Sequence, residues 1–132
     1  GYGLSYTQFA YEPLRVEASG DASQGVRVST SIRNVGQRPG EEVAQLYLDF
    51  PDVPGTPRIA LRGFQRVDLK PGESRAVNFD LSPHDLSAVS LEGVRQVFAG
   101  DYRVSVGSAQ PDSGLPVQSA SFTIRTGVAL PK

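Results

Sequence analysis

Two pairs of carboxylates and one histidine are the side chains here that could take part in bond breaking: Glu41/Glu42, Asp49/Asp52 and His84. Two carboxyl groups suffice for hydrolysis of a glycosidic bond when an apolar hollow raises the pKa of one and leaves the other ionised. Glu41 and Glu42 follow Pro39-Gly40 at the start of a strand-like run, where alternation sends adjacent side chains to opposite faces. Asp49 and Asp52 flank a proline-rich loop. Both pairs read as solvated surface carboxylates. His84 is next to Asp85 inside Ser82-Pro83-His84-Asp85 and reads as a solvent-facing turn residue. As the only histidine, in a chain with no cysteine, it cannot complete a zinc site. Asp80, Asp101 and Asp112 lie near turns without the spacing of a calcium loop. There is no G-x-S-x-G elbow and no glycine-rich phosphate loop. The sequence therefore offers no catalytic residue, no metal ligand set and no cofactor site.

The elements that would position any site are strands. The organising stretch runs from Glu41 to Ser74. Ala44, Leu46, Leu48 and Phe50 fall on one face of its first run, and Val43, Gln45, Tyr47 and Asp49 on the other. The first set can line a core between two sheets. Upstream, Leu14, Val16 and Ala18 alternate with charged residues, and Val26, Val28, Thr30 and Ile32 alternate with Arg27, Ser29, Ser31 and Arg33. Phe64 is out of phase with Leu61, Val67 and Leu69, which predicts a bulge at Gly63. Lys70-Pro71-Gly72-Glu73 predicts a tight turn into Val77, Phe79 and Leu81. Ser82-Pro83-His84-Asp85-Leu86 is the one helical signal, with serine capping and proline in the first turn. Val89–Leu91 and Val94–Phe98 flank Glu92-Gly93 as a hairpin, and strands follow at Tyr102–Val106 and Ala120–Ile124.

Seven to nine short strands and almost no helix predict an all-β fold. The expected architecture is an antiparallel β-sandwich of immunoglobulin or fibronectin III-like type. The expected division is a linker or docking segment over 1–10, the sandwich over 11–126 and a tail over 127–132. A chain of 132 residues is one domain by size. A net charge of −1 implies neither nucleic acid nor an anionic membrane surface as partner. No apolar run approaches the roughly 18 residues of a membrane span. The chain opens Gly-Tyr-Gly instead of with methionine, and reads as part of a larger protein.

Aromatic placement carries the remaining functional reading. Tyr2, Leu4, Tyr6 and Phe9 are apolar anchors that could lie on a neighbouring domain or on this domain's own edge. Tyr47 faces outward from mid-strand, and Phe64 is a second candidate. Two such rings could stack a sugar or form the centre of a patch that docks another domain. With no tryptophan for a sugar platform, docking is the preferred reading.

Several blocks also carry a family likeness. Gly1-Tyr2-Gly3-Leu4-Ser5-Tyr6-Thr7 resembles the segment leading into the C-terminal domain of glycoside hydrolase family 3 enzymes. Asn34-Val35-Gly36, with Pro39-Gly40-Glu41-Glu42-Val43-Ala44-Gln45-Leu46-Tyr47-Leu48, resembles the N-x-G…G-x-E-V-x-Q-L-Y-V signature of that domain. Leu61-Arg62-Gly63-Phe64-Gln65-Arg66-Val67 and Leu69-Lys70-Pro71-Gly72-Glu73-Ser74 resemble its L-x-G-F-x-K-V…L-x-P-G-E-S. Gly100-Asp101-Tyr102-Arg103-Val104-Ser105-Val106-Gly107 resembles its G-x-Y-x-V-x-V-G. At Gly93-Val94-Arg95 the chain departs from the family, which often has an aromatic after the glycine.

The resemblance implies a fibronectin III-like accessory domain of a retaining β-glucosidase or β-xylosidase. Family catalytic carboxylates lie on the preceding barrel and α/β domains, and no position here matches either motif. The implied partners are the catalytic domains of the same parent, with the loop Pro51–Pro57 as a candidate contact for oligosaccharide near the active-site rim. The resemblance also implies a secreted or periplasmic parent. The rival readings are a carbohydrate-binding module using the same aromatics and an adhesion-type structural sandwich.

Overall fold

The computed structural model describes residues 9–18, 25–51, 58–108, 117–125 and 127–129. Its strands are β1 (Phe9–Tyr11), β2 (Arg15–Ala18), β3 (Val26–Asn34), β4 (Gly40–Asp49), β5 (Ile59–Leu69), β6 (Ser74–Leu81), β7 (Ala88–Val89), β8 (Arg95–Val97), β9 (Gly100–Gly107), β10 (Val117–Ile124) and β11 (Val128–Ala129). One short helix, α1 (Pro83–Leu86), lies between β6 and β7. Seven strands have four residues or more, in keeping with the expected count, and β1, β7, β8 and β11 are shorter additions.

All pairings among the described residues are antiparallel. One sheet is built on β3, which pairs with β1, β2 and β6. The second runs β10-β9-β4-β5, and a small third sheet runs β11-β8-β7. Alternation explains why the two larger sheets close on each other. Val28 and Ile32 of β3 face Ala44, Leu46 and Leu48 of β4, and all five are fully buried. Phe79, Val104, Tyr102 and Phe122 complete the same core. Tyr102 stacks on Phe122 at 5.3 Å and 6°, and Phe50 tilts onto Tyr102 at 6.0 Å and 60°. The Tyr102 hydroxyl donates to the Phe98 carbonyl at 2.7 Å, and burial pushes its pKa up to about 12.

The turns follow their residues. Gly72 takes φ +80°, which a side chain would resist, and Glu73 N–H donates to the Lys70 carbonyl at 2.9 Å. Ser82 caps α1: its hydroxyl accepts from Asp85 N–H, and Asp85 reaches back to Ser82 N–H. The bulge lies beside Gly63 as expected, although Phe64 keeps regular alternation with Val67 and Leu69. Leu46 pairs with Gly63 but Tyr47 pairs with Leu61, so Arg62 is the extra residue. Gly63 faces inward, and a Cβ there would sit 3.1 Å from Phe79 Cδ1.

Four details differ from the sequence expectation. Phe9–Tyr11, expected to belong to a linker up to residue 10, is strand β1 paired with Ile32–Asn34. Val128–Ala129, expected in a tail, pairs with Gln96–Val97. Runs of two or three residues show no readable period, so pairing decides them. The β7–β8 turn is wider than Glu92-Gly93 alone: Ser90 N–H donates to the Val94 carbonyl at 2.8 Å, and the strands stop at Val89 and Arg95. Glu42, expected to be a solvated carboxylate, is half-buried and accepts a 2.8 Å hydrogen bond from the Tyr11 hydroxyl, because β1 folds over it.

Candidate interaction surface

The outer face of the β10-β9-β4-β5 sheet gathers the two mid-strand aromatics. Tyr47 stands opposite Ser105 of β9 and Leu61 of β5. Phe64 stands opposite Gln45, one diagonal step from Tyr47. The two rings differ in availability. Tyr47 is half-buried and its hydroxyl donates to Gln45 Oε1 at 2.8 Å, so the ring lies along its own strand. Phe64 is 65% exposed and Leu61 48%. Behind Tyr47, Ser105 is buried and shares a 3.0 Å hydroxyl contact with Ser119.

Phe9 does not join this face. It lies on β1 in the opposite sheet, paired with Asn34, and packs half-buried against the domain's own core. Tyr2, Leu4 and Tyr6 lie outside the described residues, as does the loop Pro51–Pro57 beyond Pro51.

The bulge builds an adjoining hollow that the sequence reading missed. Arg62 sends its guanidinium along the β5 edge, where Nε donates to the Asp85 carbonyl at 2.8 Å and Nη2 to the Ser87 carbonyl at 3.5 Å. Those carbonyls end α1 without a next turn, so a cation there satisfies them. The same guanidinium lies 5.3 Å from the Phe50 ring centroid. Arg95 Nη1 donates to Ser87 Oγ at 3.0 Å. Leu61, Arg62, His84, Asp85 and Arg95 together line a hollow of about 300 Å³. The only available signal was Arg62's position beside the predicted bulge.

Glu41 and Asp49 project from the same face of β4 as Tyr47, and Asp85 lines the hollow. Glu41 comes within 3.8 Å of Arg66, Asp80 pairs with Arg27 at 2.8 Å, and Asp101 accepts from Thr123 at 2.7 Å. Burial raises the Glu42 pKa against the opposing pull of its hydrogen bonds from Tyr11 and Val43, and burial also raises that of Tyr11. Glu42 faces Tyr11 across the two sheets. Among the described residues no three metal-ligating side chains come together.

Comparison with known proteins then gives the surface a context. Residues 42–110 match the family model described as a fibronectin type III-like domain. The probable β-glucosidase L of Aspergillus fumigatus is 40% identical over 96% of this chain, which spans 19% of that relative. A putative β-xylosidase of Formosa agariphila is 34% identical over 85% of the chain, 15% of the relative's length. Among solved structures, β-glucosidase 3B of Thermotoga neapolitana, in complex with α-D-glucose, superposes with a TM-score of 0.82 at 32% identity, over 98% of this chain and 17% of that one. The GH3 β-glucosidase of Bifidobacterium adolescentis gives 0.80 at 30% identity, over 99% and 19%. The chain thus matches one small domain within each of these much longer proteins, and it belongs to the fibronectin type III-like domain family.

Proposed function

We propose that this domain is a non-catalytic accessory module of a longer family 3 glycoside hydrolase, a retaining β-glycosidase, and that it docks against the catalytic domains of the same parent. The docking face is the outer sheet surface around Tyr47 and Phe64, and the segment before β1 adds the anchors Tyr2, Leu4 and Tyr6 as a separate contact. The observation that carries this reading is Phe64, a phenyl ring 65% exposed beside Leu61, in a chain spanning 19% of its relative's length. An apolar patch on an outer sheet face is costly to leave in water and marks a contact surface. The 2.8 Å bond from Tyr47 to Gln45 favours docking over sugar stacking, since the ring lies down along the sheet instead of standing as a platform.

The test is the parent enzyme carrying Tyr47→Ala or Phe64→Ala. The expected result is a lower melting temperature for Phe64→Ala, with turnover of a chromogenic glucoside retained at low temperature. Unchanged melting and kinetics in both variants would defeat the docking claim. Retention on insoluble cellulose or xylan that falls with Tyr47→Ala would transfer the face to carbohydrate binding.

A further inference from the structure

We infer that the docking surface continues across the Arg62–Arg95 hollow onto the β7–β8 turn, and that it receives a carboxylate-bearing apolar segment of the parent's other domains. This extension rests on the accessory-domain reading above.

Continuity comes first. Leu61 of the outer face and Arg95 of β8 line one hollow of about 300 Å³, so the two elements share a border. Val89 stands opposite Arg95 in register, which puts both side chains on one side of the hairpin. The turn beyond carries Leu91 at 74% exposure, and Val89 and Val94 are exposed as well. The turn is also tied: Ser90 N–H reaches the Val94 carbonyl, Gly93 N–H the Ser90 carbonyl at 2.9 Å, and Ser90 Oγ accepts from Val94 N–H at 3.2 Å. A turn already fixed by its own hydrogen bonds loses little conformational freedom when a partner covers it.

Charge selects the occupant. Arg62 and Arg95 direct their hydrogen bonds to neutral oxygens, two carbonyls and a hydroxyl. The Asp85 carboxylate is turned to Ser82 N–H and Oγ as part of the helix cap. Neither arginine takes part in the ion pairs Arg27–Asp80 and Arg66–Glu41. Two half-buried guanidiniums beside one hollow therefore have donors suited to an incoming carboxylate, which arginine binds through paired N–H groups. Exposed Leu61 in the hollow and Leu91, Val89 and Val94 on the adjoining turn favour apolar neighbours around that acid. The parent's remaining domains are the occupant at hand, since this chain covers only 17% of the superposed β-glucosidase 3B.

The test uses the full-length parent with Leu91→Asp, a change at a solvent-facing side chain remote from the core. The expected result is a fall in melting temperature of about 2–4 °C or more, with faster amide exchange across residues 89–95. A second variant, Arg95→Gln, keeps a donor for Ser87 and removes the charge. Its deficit relative to the unaltered parent should shrink as sodium chloride rises to about 0.5 M. A salt-independent deficit overturns the carboxylate. Phe64→Asp separates this inference from the reading it rests on. If Phe64→Asp lowers melting and Leu91→Asp does not, docking stands and the extension fails. If neither does, both fail. A dimer of the parent that Leu91→Asp dissociates would assign the turn to a second copy and overturn the inference.

Discussion

Asn34 holds more of the fold than its single side chain suggests. It is fully buried, and its Nδ2 donates to the carbonyls of Arg38 at 2.8 Å and Leu69 at 2.9 Å. Its Oδ1 accepts from Gly36 N–H at 2.9 Å. One amide thus joins the β3–β4 turn to the end of β5. Asn34→Ala removes three hydrogen bonds, of which the one to the Leu69 carbonyl is buried, and we expect a loss of about 2–4 kcal/mol by denaturant titration. Glu42 is the other decisive polar residue. Its folded pKa lies above the ordinary value because burial outweighs the Tyr11 and Val43 hydrogen bonds. A raised carboxylate pKa means that the fold prefers the protonated acid. The stability it contributes is therefore present below the unfolded pKa and lost as pH rises through the folded one. Glu42→Gln should accordingly gain stability over the native sequence at pH 7 relative to pH 4, read as the difference between denaturation midpoints. Equal gaps at both pH values would show that Glu42 is not charged at a cost.

Among the elements, β5 has the most to explain. Gly63 presents no side chain to Phe79, and even one carbon would come within 3.1 Å of its ring. Gly63→Val should cost at least about 2–3 kcal/mol, whereas Gly72→Ala should act through its positive φ alone. The place of the bulge beside Gly63 was legible locally, but its sense was not: Phe64 keeps the alternation of Val67 and Leu69 and points outward, and Leu61 is the side chain that the extra residue turns outward. The cap of α1 was legible locally too, since Ser82 and Asp85 are three residues apart. Long-range consequences were not. Where the Arg62 guanidinium goes depends on α1, which lies some twenty residues further on. Glu42 is covered by Tyr11, 31 residues away, so nothing near Glu42 announces its burial. The strands β1 and β11 escaped for a different reason: three and two residues cannot display an alternation.

At the scale of the whole molecule the two large sheets share one core, so loss should be cooperative. Phe122→Ala removes the ring stacked 5.3 Å from Tyr102 and should cost about 3–5 kcal/mol. Fluorescence and circular dichroism should then report one coincident transition. The strand order also leaves β5 at the side of its sheet, with β4 its only partner among the described residues. Eleven residues of extended backbone would ordinarily be an inviting template for polymerisation. The additional residue at Arg62 bends that ribbon midway, and the Arg62 guanidinium ties it to α1. Deleting Arg62 would leave Leu61 and Gly63 opposite Tyr47 and Leu46 in unbroken alternation and straighten the margin of the sheet, and light scattering on warming should then reveal strand-to-strand aggregates. The irregularity that shapes the hollow would, on this account, also keep neighbouring copies of the protein from fusing along their sheets.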